Sequence, residues 1–118
     1  MAQSILFLIT RAPYGVEEAF AGLRMALAFA VNGVKTSVVM MEDGVYNAVA
    51  GQKAEVLKMP SNADATKELF DFEAQVHIVR EDLKERGVAE DALLEGVKVI
   101  SRDNLRKLVI DHDVLTTF

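Results

Sequence analysis

Short apolar runs alternate with stretches of helical spacing along this chain, and that alternation predicts the order of its elements. Ser4 to Thr10 is almost unbroken in apolar character, as in a central strand covered on both faces. Arg11-Ala-Pro-Tyr-Gly15 interrupts the run with proline and glycine. Val16, Ala19, Phe20, Leu23, Leu27, Ala30 and Val31 then fall at helical spacing within Val16 to Asn32, and Gly33 stands where a C-terminal cap belongs. Val34 to Met41 reads as a second strand. Strand, helix and strand follow one another within about forty residues, the length of a right-handed crossover unit.

Beyond Gly44, which begins a turn, Tyr46 to Ala50 predicts a short helix, and the stretch to Pro60 fits no single element type. Ser61 or Asn62 starts a helix through Phe72. Gln75 to Val79 predicts a third strand, Asp82 to Arg86 a helix closed by Gly87, and Val97 to Ile100 a fourth strand. Ser101 and Asp103 offer caps for a helix through Ile110, and Asp113 to Phe118 forms a fifth strand tied into the sheet. The expected fold is therefore a three-layer α/β/α domain around a five-stranded, mainly parallel sheet, one domain over residues 1–118.

Composition narrows the function classes. A hydrophobic fraction of 51% in 118 residues is high for a small soluble chain and implies apolar surface in a subunit interface. A net charge of −5 argues against a nucleic-acid surface, which needs clustered cations. The first apolar run is too short to span a bilayer and lacks a basic leader, so the expectation is a soluble, cytoplasmic protein without membrane association. The absence of cysteine excludes disulfides, thiolate metal sites and thiol or persulfide chemistry by this chain itself.

Candidate chemistry gathers where a parallel sheet collects its strand ends: Thr10-Arg11, Glu42-Asp43, Arg80-Glu81-Asp82 and Ser101-Arg102-Asp103. Helix capping is the simplest role for Asp43, Asp82, Ser101 and Asp103. Arg11, Arg80 and Arg102 suit an anion at this edge or, more simply, neutralise Glu42 and Glu81. His77, within the third strand, reads as a packed or interface residue, and His112 sits between two aspartates at a turn. Neither has the spacing of a metal site, and no metal or cofactor is expected. Met40, Met41 and Met59 suit core filling or an adaptable contact surface, and Tyr14 and Tyr46 follow strand ends where an interface or pocket rim suits them. Dinucleotide, P-loop and nucleophile-elbow motifs are absent.

Phe7-Leu-Ile-Thr-Arg-Ala-Pro-Tyr-Gly15, Glu42-Asp-Gly-Val-Tyr46, Ala50-Gly-Gln-Lys53 and Leu83-Lys-Glu-Arg-Gly-Val88, in this order and followed by Val114-Leu-Thr-Thr-Phe118, resemble the DsrE/DsrF-like sulfur relay family, closest to its DsrF/TusC subunit type. The resemblance implies a flavodoxin-like domain, assembly with related small subunits into a ring-like hexamer, and service in a persulfide relay for tRNA thiolation or sulfur oxidation. Active subunits of the family carry a cysteine at the end of the third strand, seven residues before the arginine of an Arg-Gly pair. Counting back from Arg86-Gly87 places that position at Val79. The implied role is thus a non-catalytic subunit of a sulfurtransferase complex, with no catalytic residue of its own. Its partner would be a cysteine-bearing DsrE/TusD-like subunit, met through an edge carrying Arg11, Tyr14, Glu42, Asp43 and Arg80. The competing expectation is a self-assembling trimer or hexamer that binds a small anion or metabolite at that edge; an enzyme using Glu42, Asp43 and His77 is the third, with no nucleophile and base to support it.

Overall fold

The computed structural model describes residues 3–12, 18–50 and 62–118. Five strands, β1 (Ser4–Ile9), β2 (Lys35–Met40), β3 (Gln75–Val79), β4 (Lys98–Ile100) and β5 (Val114–Thr117), form one sheet in the order β4-β3-β2-β1-β5. Every pairing is parallel. Among the described residues four α-helices connect them: α1 (Glu18–Val31), α2 (Asn62–Phe70), α3 (Arg80–Glu85) and α4 (Arg102–Asp111).

Strand order dictates the layers. From β1 to β4 the chain steps across the sheet in one direction, and right-handed crossovers then keep the intervening helices on one face. The step from β4 back to β5 reverses direction and sends α4 over the other face. Side chains divide accordingly. Ile5, Phe7, Ile9, Val38, Met40, Val76 and Ile78 pack with Leu23 and Ala26 of α1, Leu69 of α2 and Leu83 of α3. The alternate residues Leu6, Val39 and Val79 face Leu105 and Leu108 of α4. The first layer holds most of the burial, at roughly 1.5–3 kcal/mol for each large side chain. No residue of α4 is buried, so it is the weaker cover.

Gly33 ends α1 at φ +82°, a left-handed conformation with open space around it. Gly44 is required for a different reason: a Cβ there would lie 1.9 Å from the backbone oxygen of Ile9. The chain's last residue is tied to β1, since Phe118 N donates to Leu8 O at 2.8 Å and its carbonyl accepts from Thr10 N at 2.7 Å. The Phe118 ring stacks on Phe7 with centroids 6.1 Å apart.

The expected strands and long helices are present, with ends displaced by one or two residues. Two segments differ more. The short helix expected over Tyr46 to Ala50 is a 3₁₀ helix over Glu42–Ala48, entered through Glu42 at φ 52°. After it, Val49 makes an antiparallel bridge with Leu93, supported by Ala50 N to Ala92 O at 2.9 Å and Leu94 N to Ala48 O at 2.8 Å. The uncertain stretch before Pro60, Met59 and Tyr14 lie outside the described residues.

Candidate functional site

The carboxyl ends of the strands finish level, Ile9 beside Met40, Met40 beside Ile78 and Val79 beside Ile100. The segments that follow therefore meet at one edge. Asp82, on the first turn of α3 and only 2% exposed, is the centre of that meeting. Its Oδ2 accepts the backbone N–H of Glu42 at 2.8 Å, and its Oδ1 accepts from the Arg102 guanidinium at 2.6 Å. Arg86, one helical turn later, lies 3.9 Å from the same carboxylate and donates to the Asp82 carbonyl at 3.2 Å. One buried carboxylate thus ties the turn after β2, helix α3 and the start of α4 together, with its charge compensated by two arginines.

Further pairs extend the cross-link. Arg86 Nε donates to Asp43 at 3.0 Å, and this hydrogen bond, with the Asp43, Asp82 and Glu85 charges against a smaller effect of burial, holds the guanidinium above its already high pKa. Glu81 accepts the Arg102 backbone N–H through both oxygens, at 3.0 and 3.2 Å. Arg80 pairs with Glu90 at 3.2 Å in an exposed contact that contributes little to stability. A second buried network lies beside this one. Asn47 donates to Arg11 O at 2.8 Å and Gly44 O at 2.9 Å, while Asn62 donates to the Asn47 side-chain oxygen at 2.6 Å. It fixes the exit of β1 against the 3₁₀ helix and the start of α2.

Capping explains fewer of the edge residues than the sequence suggested. Ser101 does cap α4, its hydroxyl accepting from Asn104 N at 3.2 Å. Asp43 and Asp82 instead stand inside the first turns of their helices, where the cap residues Met41 and Val79 make no side-chain cap bond. Asp103 likewise lies within the first turn of α4, after the cap residue Ser101. Asp43 serves Arg86, and Asp82 serves Glu42, Arg86 and Arg102. Arginines are neutralised at this edge, but by Asp82, Asp43 and Glu90 rather than by Glu42. Arg11 and Glu42 are exposed there. Sequence reasoning missed Arg86 and Arg102 as partners of Asp82; the four-residue spacing from Asp82 to Arg86 was the one local signal for it.

Val79 is fully buried between the sheet and α4. On the same face, His77 is buried with neither ring nitrogen hydrogen-bonded among the described residues. Burial first, then the charges of Lys98 and His112, lowers its pKa to about 4. Among the described residues no group of three or more histidine or acidic side chains is arranged to hold a metal ion, and no helix is long and apolar enough to cross a membrane. Among the described residues the edge is a charge-compensated scaffold with no nucleophile and base in contact.

The DsrE/DsrF-like family profile matches residues 3–118. The chain belongs to the DsrE/DsrF-like family. Among its relatives, an uncharacterized protein of Methanocaldococcus jannaschii is 32% identical over 111 residues, 94% of this chain and 96% of the relative. The intracellular sulfur oxidation protein DsrF of Allochromatium vinosum is 28% identical over 80% of this chain and 71% of its own length. A TusC homolog of Vibrio vulnificus is 28% identical over 97% of this chain and 98% of its own. The crystal structure of the ychN protein from E. coli superposes with a TM-score of 0.90 at 24% identity, covering 98% of this chain and 99% of that one. The three-layer, flavodoxin-like architecture is thus that of a DsrE/DsrF-like protein.

Proposed function

We propose that this DsrE/DsrF-like chain is a non-catalytic subunit of a persulfide relay, acting in tRNA thiolation or in sulfur oxidation beside a related subunit that carries the reactive cysteine. One observation carries the reading: a chain matching the family from residue 3 to residue 118 has no cysteine anywhere. In a persulfide transfer the acceptor thiolate attacks the outer sulfur and the donor thiolate leaves, so both ends of the step are cysteines. This chain supplies neither. At the position that the family resemblance assigns to the cysteine stands Val79, buried and apolar.

The role left to the chain is to hold a partner. The edge with Arg11, Tyr14, Glu42, Asp43 and Arg80 is the surface we assign to that contact. Its support is the stiffness of the scaffold beneath it, since Asp82 and Arg86 fix Glu42 and Asp43 from below. A surface held in one geometry loses less conformational entropy on docking. Sulfur loading of the captured assembly with a cysteine desulfurase, followed by persulfide trapping and peptide mass spectrometry, tests the division of labour. Label on a strand-three cysteine of a second chain is the expected result, and relay activity by this chain in the absence of any other protein would refute the proposal.

A further inference from the structure

Helix α4 is held down at three points, the first on helix α3 and the other two on the sheet. At its N-terminus Arg102 bonds to Asp82 and Glu81. In the middle Leu105 and Leu108 are partly buried against Leu6, Val39 and Val79. At its C-terminus the cap residue His112 makes two contacts, Nδ1 to Leu108 O at 2.6 Å and Nε2 to Ser37 Oγ at 3.0 Å. A carbonyl only accepts, so Nδ1 carries the proton and donates; in the neutral ring Nε2 accepts the Ser37 hydroxyl.

His77 belongs to the sheet face beneath this helix, two residues before Val79. It is 5% exposed, with both nitrogens unpartnered among the described residues. The register sets Val39 of β2 on one side of it and Lys98 of β4 on the other. The titratable groups that act on it are Lys98 of β4 and His112 of the α4 cap, and neither is a carboxylate. A neutral imidazole is tolerated there as a packed ring. An imidazolium has two donors without acceptors among the described residues and the Lys98 cation beside it, and burying such a charge is costly.

We infer that α4 is an acid-released cover: protonation of His77 expels its ring from the interface and lifts the C-terminal end of α4, uncovering Leu6, Val39 and Val79. The helix is the element suited to move, because none of its side chains is buried, whereas β1 and β2 lie in the middle of the sheet. The lowered pKa of His77 agrees in sign, since a conformation that frees the ring binds the proton more readily than the closed one.

Peptide-level hydrogen exchange on the full chain, corrected for intrinsic rates, tests this between about pH 7.5 and about pH 4.5. Relative to peptides of β1 and β2, opening of residues 102–111 is expected to rise on the order of 100-fold, the most that one proton gives over two pH units below the ordinary histidine value. In His77→Gln the ratio is expected to stay flat. Parallel loss of protection in α4 and the core, or the same acid-dependent rise in His77→Gln as in the wild type, overturns the inference. Should that variant fail to fold, NMR of the wild type decides. A His77 ring and α4 amides that titrate with one midpoint support the device, and a ring that titrates while the α4 amides stay still refutes it.

Discussion

The buried carboxylate of Asp82 accepts the backbone N–H of Glu42 at 2.8 Å, across forty residues of chain, and Glu42 is held at φ 52°. A non-glycine residue in that region costs on the order of 1 kcal/mol or more. The hydrogen bond offsets part of that cost and fixes where the turn after β2 stands relative to α3 and α4. Replacing Asp82 with alanine leaves the Glu42 amide and the Arg102 guanidinium without that acceptor and removes the carboxylate that lies 3.9 Å from Arg86. The expected loss is about 2–4 kcal/mol by urea denaturation. Arg102→Ala, whose side chain is half exposed, is expected to cost about 1 kcal/mol or less. Equal losses for the two would show that Asp82 is not the hub.

Gly44 and Gly33 separate two kinds of glycine. Gly44→Ala drives a Cβ into the Ile9 carbonyl, and backbone on both sides leaves no flexible group to yield. A loss above about 3 kcal/mol is expected. Gly33→Ala meets nothing within 4 Å and pays only for its positive φ, about 1 kcal/mol. Denaturant midpoints of the two variants, compared at equal m-values, check the ranking.

His77 also makes global stability depend on pH. Its folded pKa of about 4 lies below the ordinary 6.5, so the unfolded chain binds more protons between these values. Its contribution is therefore complete above pH 6.5 and is lost as pH falls toward about 4. Urea midpoints measured across that window should fall with acidification more steeply in the wild type than in His77→Gln. Identical slopes would remove His77 from the account.

A cysteine placed at Val79 should not restore a reactive site. The position is fully buried under α4, and apolar surroundings disfavour the thiolate. Val79→Cys is expected to react with a maleimide only slowly at neutral pH and completely once unfolded. Rapid labelling of the folded variant would show that this end of β3 is open.

Much of the fold was legible because strands buried on both faces announce themselves as apolar runs, Ser4 to Thr10 above all, and because helix α1 ends at a glycine. The edge was less legible. A carboxylate near a helix start looks like a cap from local sequence, yet the partners that define Asp82, Glu42 and Arg102, are forty and twenty residues away. The 3₁₀ helix begins at Glu42 rather than Tyr46 because that distant carboxylate holds a backbone conformation that glutamate seldom adopts. His77 was readable as a packed strand residue; that its nitrogens lack partners among the described residues depends on what β4 and α4 bring to it, which no local pattern encodes.

The central claim concerns company. Affinity capture of the protein from the cells that make it, followed by native mass spectrometry of the intact assembly and identification of every chain, tests that claim most directly. Recovery of a related subunit with a cysteine at the end of its third strand is the predicted result. A stable assembly of this chain alone, with no cysteine-bearing subunit, would contradict it.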